Sequence, residues 1–134
     1  MDTSVTLAWV FEDECTEQIE ALLDRVCDEG GLVPSLWQYE VCNALASATR
    51  QGRCNQAAAT RILGLLADIN LRVTEASVDK IRVYHLAHTT GLSAYDAAYI
   101  DLAMSKGLPL ATLDQRLAQV AIGLGVEVLP TADK

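Results

Sequence analysis

Short apolar runs alternate with longer amphipathic stretches along this chain, and glycine closes nearly every stretch. The runs are Gly31-Leu-Val-Pro34, Leu71-Arg-Val-Thr74, Leu108-Pro-Leu-Ala111 and Val126-Glu-Val-Leu129. Each is too short for a helix, and three contain β-branched residues, so all four are predicted strands. Between them, Thr16–Cys27 carries Ile19, Leu22, Leu23 and Val26 at three- and four-residue spacing, with Gly30-Gly31 beyond its end. Ser35–Arg50 opens on Ser35 and Gln38 in a capping-box arrangement and stops at Gly52. Asn55–Ile69, Ser77–Thr90, Ser93–Lys106 and Gln115–Leu124 complete the helical set, and Val5–Phe11 reads as a further short helix. Strands alternating with helices predict an α/β domain, a mostly parallel central sheet covered on both sides. At 134 residues this is a single domain spanning 1–134.

Composition narrows the function classes. Apolar types make up 51% and charged types 21%, a globular balance. No apolar stretch approaches a membrane span and no secretory leader precedes them, so a soluble cytoplasmic protein without a membrane partner is expected. Ten Lys+Arg against 18 Asp+Glu leave a net charge of −8, which argues against broad adhesion to a phosphate backbone. Bound divalent cations reverse such a field locally, so nucleic acid stays open as a substrate. Aromatics are only 5%, which removes the usual stacking platform for single strands. Cys15, Cys27, Cys42 and Cys54 show no C-x-x-C pair and are expected to be buried, reduced thiols.

The acids are the informative residues. In an open parallel sheet, ligands bind where strands end and loops lead into helices. Asp114 follows the third predicted strand and opens a helix. Glu40 lies one turn into the helix after the first. Asp96 lies in the first turn after Ser93, and Asp2 opens the segment Val5–Phe11. Each has a structural explanation of its own: acids favour the positive end of the helix dipole, Ser93 with Asp96 matches a capping box, and Asp114 suits an N-cap. Glu40, past the first turn among Trp37, Val41, Ala44 and Leu45, is the hardest to explain that way. Taken together the four ask for more. Two like charges about 4 Å apart repel by roughly 4 kcal/mol at an effective dielectric near 20. A convergent group of them needs a cation or raised pKa values. Oxygen-only ligands suit Mg²⁺ or Mn²⁺ rather than zinc.

Four blocks resemble the PIN-domain ribonucleases, and among them the VapC toxins of type II toxin–antitoxin pairs. They are Asp2–Glu14, Val33–Leu45, Gly91–Tyr99 and Leu108–Leu117, in family order and at family-like spacing over nearly the whole chain. The resemblance implies a PIN-like three-layer α/β/α fold. It also implies that Asp2, Glu40, Asp96 and Asp114 form an acidic quartet that binds Mg²⁺ or Mn²⁺ and hydrolyses RNA phosphodiesters. Ser4 and Thr112 match hydroxyl positions supporting those acids, and Asn43 matches a polar residue lining the same pocket. A cognate antitoxin, an RNA substrate and a homodimer are the implied partners. A PIN nuclease of RNA maturation without an antitoxin, and an inactive PIN-type binding module, are the alternatives. A phosphotransferase of the haloacid type needs an Asp where Ser4 stands, and a receiver domain needs a Lys that 108–113 does not offer.

One departure concerns the first strand. In the family an apolar strand precedes the first Asp, whereas only Met1 precedes Asp2 here. A missing inner strand would leave backbone groups unpaired, so the native chain is expected to begin upstream. Arg116, two residues past Asp114, could meet a scissile phosphate or form a surface ion pair. Arg50 and Arg53 could serve RNA or helix carbonyls. Leu7, Trp9, Val10 and Phe11 offer either a groove for a partner helix or core packing. Glu12, Asp13, Glu14 and Asp101 read as solvated, and His85 and His88 as surface and dipole residues rather than a metal pair.

Overall fold

The computed structural model describes residues 1–131. Seven α-helices and four strands follow in the order α1 (Thr3–Val10), α2 (Glu17–Glu29), β1 (Gly31–Val33), α3 (Leu36–Arg50), α4 (Gln56–Asp68), β2 (Leu71–Val73), α5 (Lys80–Thr90), α6 (Ala94–Lys106), β3 (Leu110–Ala111), α7 (Gln115–Gly123) and β4 (Val128–Leu129), with a 3₁₀ turn at Glu12–Glu14. This is the expected α/β alternation. β1 pairs with β2 in parallel (Gly31 with Leu71, Val33 with Val73), and β3 pairs with β4 in parallel (Leu110 with Val128).

The two parallel pairs are joined by the chain start. Met1 N donates to Leu32 O of β1 at 3.3 Å, and Asp2 N donates to Ala111 O of β3 at 2.9 Å. Over these two residues Met1 and Asp2 hold the inner place where the sequence suggests a strand. The consequence for function is direct. Asp2 is delivered to the carboxyl ends of the neighbouring strands, where α1 begins.

The core explains why the helix entrances share one end of the sheet. Val5 of α1, Ile19 of α2, Val33 of β1, Val41 of α3, Ile100 of α6, Leu110 of β3 and Leu117 of α7 are all buried. Each such side chain contributes about 1.5–3 kcal/mol from leaving water. Polar pins orient α1 within this core. Trp37 Nε1 donates to Thr6 Oγ1 at 2.9 Å, and Trp9 Nε1 donates to the Ile19 carbonyl at 2.9 Å. Trp9, Val10 and Phe11 pack against the core, so packing accounts for these three members of the suggested groove.

Several local expectations are corrected. Ser35 is already helical (φ −58°, ψ −31°) and its side chain caps nothing, so the expected capping box with Gln38 does not form. α5 begins at Lys80 rather than Ser77 because the Asp79 side chain accepts from Arg82 N at 3.1 Å and sets the start. β3 is confined to Leu110–Ala111, two residues after the predicted Leu108; Pro109 has no N–H for a ladder. Asp101 is not solvated. It receives a two-pronged bond from Arg82 (Nε to Oδ1, 2.9 Å; Nη2 to Oδ2, 3.2 Å) that ties α5 to α6. Asp13 and Glu14 pair with Arg53 at 3.0 and 3.4 Å, and the Arg53 guanidinium lies 4.0 Å from the Phe11 ring centre. The cysteines are free thiols, yet Cys27 and Cys42 are exposed rather than buried.

Candidate active site

Asp2 caps α1. Its extended backbone (φ −92°, ψ 175°) lets Oδ1 accept from Val5 N at 3.3 Å. The carboxylate is buried, at 7% exposure, and buried charge is tolerable only when hydrogen-bonded. The hydroxyls supply those bonds: Ser4 Oγ donates to Oδ1 at 2.5 Å and Thr112 Oγ1 donates to Oδ2. The same two hydroxyls accept from the loop after β3. Leu113 N donates to Ser4 Oγ at 2.9 Å, and Asp114 N donates to Thr112 Oγ1 at 3.0 Å. Asp2 is thereby bonded through Ser4 and Thr112 to the segment that carries Asp114.

Glu40 projects from α3 toward α1 and α6. Its Oε1 accepts from Thr3 Oγ1 at 3.2 Å and from the Tyr99 hydroxyl at 2.5 Å. Burial, and then the bond to Glu40, push the Tyr99 hydroxyl well above the usual phenol range, so it stays a donor. Neither Thr3 nor Tyr99 was a site residue by sequence reasoning. The available signals were adjacency to Asp2 and the Asp96-x-x-Tyr99 spacing, which places both on one face of α6.

Asp96 and Asp114 are held differently. Asp96 N donates to Ser93 Oγ at 3.1 Å in the first turn of α6, and its carboxyl is half-buried. Burial raises its pKa, and the negative charges of Asp114, Glu40 and Asp2, in that order, raise it further. One carboxyl thus feels the other three, although the four are separated by up to 112 residues of chain. Asp114 is exposed and caps α7 through Oδ1, which accepts from Leu117 N at 3.1 Å.

No side-chain cation neutralises this mouth: among the described residues, the ion pairs are made by Arg25, Arg53 and Arg82 with other acids. Arg116 instead donates from Nη2 to the Gly91 carbonyl at 2.9 Å, clasping α7 to the turn before α6. Asn43 is exposed and lines an open cleft of about 810 Å³ with Glu40, Tyr39 and Tyr95.

The donor set is oxygen alone, which fits a hard divalent cation. Among the described residues no three carboxylate, His or Cys groups stand close enough to share one coordination sphere. Mg²⁺ keeps most of its waters and takes one or two carboxylates plus substrate phosphate oxygens, so it does not require such a closed set.

The PIN domain family matches residues 1–123 of the sequence, from Asp2 through Asp114 and beyond. The chain belongs to the PIN-domain family. Its relatives place it in the VapC branch. Ribonuclease VapC3 of Pyrobaculum aerophilum is 31% identical over 121 residues, covering 89% of this chain and 91% of that protein. Exonuclease VapC9 of the same organism is 37% identical over 92 residues, 68% of each chain. The crystal structure of PAE2754 from Pyrobaculum aerophilum superposes with a TM-score of 0.73 at 30% identity, covering 96% of this chain and 86% of that one. For a PIN domain, then, the α/β reading of the sequence and the parallel strand pairs agree.

Proposed function

We propose that this PIN domain is a Mg²⁺- or Mn²⁺-dependent endoribonuclease, the toxin of a type II toxin–antitoxin pair acting in the cytoplasm. The observation that carries it is the meeting of four acids at one mouth: the Asp96 carboxyl, raised in proton affinity first by burial, also feels Asp114, Glu40 and Asp2, and among the described residues no ion pair reaches any of the four. Such a group binds a hard cation to relieve its own repulsion. The names of the VapC relatives supply the reaction class.

Of Asp2, Glu40, Asp96 and Asp114, one or two would hold the metal directly and the others would add charge around it; when bound it would polarise a phosphoryl oxygen and lower the pKa of coordinated water. The protein's own residues do the rest. Ser4 and Thr112 fix both Asp2 oxygens, so that carboxylate keeps its orientation without reorganising. Thr3 and Tyr99 both donate to Oε1 of Glu40 and so limit the rotation of that carboxylate. Asp96 and Asp114, on helix N-termini, add charge where a phosphate alone would gain from the dipole. Arg116 and Asn43 flank the mouth as phosphate- and substrate-contacting candidates, with Arg116 freed from Gly91 when it does so.

The acidic mouth suits a basic antitoxin segment, and a homodimer is the expected assembly. No helix among the described residues is long and apolar enough to cross a membrane. The test is cleavage of RNA labelled at either end, with Mg²⁺, with Mn²⁺ and with chelator. Internal products that need the metal support the reading. Metal-independent products, or trimming from one end alone, overturn the endonuclease assignment. Growth arrest on expression of the chain alone, relieved by its neighbouring gene, supports the toxin role. Harmless expression of metal-active protein removes it.

A further inference from the structure

Aromatic residues are scarce in this chain: one Phe, two Trp and four Tyr. Most are committed to the interior. Trp37 and Tyr99 are buried, and Trp9 and Phe11 pack against the core. Three tyrosines remain exposed, Tyr39 at 78%, Tyr95 at 66% and Tyr84 at 62%. Tyr84 is occupied within α5, its ring stacked on His88 with an interplanar angle of 6°. Tyr39 and Tyr95 have no ring partner among the described residues, and both line the cleft that also holds Glu40 and Asn43.

Their positions follow from the acids. Tyr39 immediately precedes Glu40 on α3, and Tyr95 immediately precedes Asp96 on α6. The two helices bring their acids to one mouth, so the preceding residues flank it from two sides. The count of aromatics argued against a stacking platform; their placement restores one at a single spot.

Charge explains why such a platform is needed. With a net charge of −8, the chain gains little from general attraction to a phosphate backbone. Contacts to bases are then a needed source of binding energy for RNA, beside any metal-bridged phosphate. A base stacked on an exposed ring supplies such a contact without sequence readout, but only when its face is not covered by duplex neighbours.

We infer that Tyr39 and Tyr95 are the base-stacking residues of this site, each holding an unpaired base beside the scissile phosphate. This rests on the nuclease reading for the scissile phosphate, though not for the stacking itself. The side chains act on binding and take no part in bond cleavage. Each ring would hold a base, with the adjoining phosphate at the mouth where the acids would hold the metal.

The test measures binding of a labelled single-stranded RNA, its duplex and a matching abasic strand to an Asp96→Asn background with Mg²⁺ present. Tyr39→Ala and Tyr95→Ala are each expected to weaken single-strand binding about tenfold. Tyr→Phe at either site should hold it within about twofold, because the ring and not the hydroxyl stacks. Abasic RNA should bind equally to all variants. In the otherwise native chain the alanine changes should raise KM and leave kcat unaltered. Unchanged single-strand affinity in both alanine variants overturns the inference, as does an equal loss on the abasic strand. Weakened binding of a protein partner with RNA affinity intact also overturns it and assigns the cleft to that partner. If the native chain cleaves no RNA while the tyrosines still govern single-strand binding, the nuclease reading falls and the stacking role stands.

Discussion

Asp2 and Asp114 do the same local job: each caps a helix, α1 and α7, by accepting from the amide three residues on. Their surroundings are opposite. Asp2 is buried under two hydroxyl donors, whereas Asp114 is exposed and its carboxylate accepts one backbone bond among the described residues. Glu40 belongs with Asp2, clamped by Thr3 and Tyr99; Asp96 belongs with Asp114, at a helix start and pressed by the other three charges. The mouth thus has an inner half built into the fold and an outer half left electrostatically unsatisfied. Asp2 and Glu40 are thus held by the fold's own hydrogen bonds, whereas Asp96 carries the repulsion of the other three acids.

The largest expected effect separates the halves by activity. Asp96→Asn should lower metal-dependent RNA cleavage by more than about 100-fold, since a lost ligand removes several kcal/mol of transition-state stabilisation. Its unfolding temperature should not fall. Retained cleavage in a normally folded Asp96→Asn protein would remove Asp96 from the site. The inner half should show the converse. Thr112→Val leaves the buried Asp2 carboxylate short of a donor, at about 1–3 kcal/mol, visible as a loss of several degrees in Tm. Asp114→Asn keeps a capping side chain and should change stability by less than about 0.5 kcal/mol. Equal losses in the two variants would dissolve the distinction.

A smaller effect is expected at the Glu40 clamp. Tyr99→Phe removes one donor from a half-buried carboxylate and should weaken Mn²⁺ affinity by about 10-fold, measured by calorimetry. Unchanged affinity would make Tyr99 a packing residue only.

The smallest effect is the pH dependence of metal-free stability. The folded protein binds the Asp96 proton more tightly than the unfolded chain does. The contribution of Asp96 to stability is therefore fully present below the unfolded carboxyl range and is lost as pH rises through that range to the raised folded value. Above it the cost is constant, and Mg²⁺ should relieve it. Tm measured against pH should lose this downward component in Asp96→Asn, and Mg²⁺ should raise Tm more in the native chain than in the variant. An identical slope in the two proteins would show that Asp96 does not report the shared field.

Much of this was legible in the sequence. The four acids were candidates because a helix entrance after a strand can be recognised from turn residues and periodicity, whereas Ser4 and Thr112 were implied by the resemblance to the PIN-domain ribonucleases. Thr3, Tyr99 and the tyrosine pair were not, since nothing local marks a hydroxyl that bonds 37 or 59 residues away. Asp101 misled for the same reason: its partner Arg82 lies on another helix, 19 residues back. Arg116 was weighed against phosphate or an acid, and the geometry joined it to the Gly91 carbonyl. Cys27 and Cys42 escaped burial because they lie on outward faces of α2 and α3, which burial statistics for cysteine do not register.

Local sequence signals were enough for the alternation of strands and helices, and for an acid at three helix entrances with Glu40 one turn inside a fourth helix. Those features arise from caps, turn residues and periodic apolar positions, whose reach is about four residues. That Asp2 is buried and Asp114 is not, and that α3 and α6 carry two tyrosines to one cleft, came from the packing of distant segments. Burial and charge repulsion depend on distances through space, and packing of the shared core sets those distances.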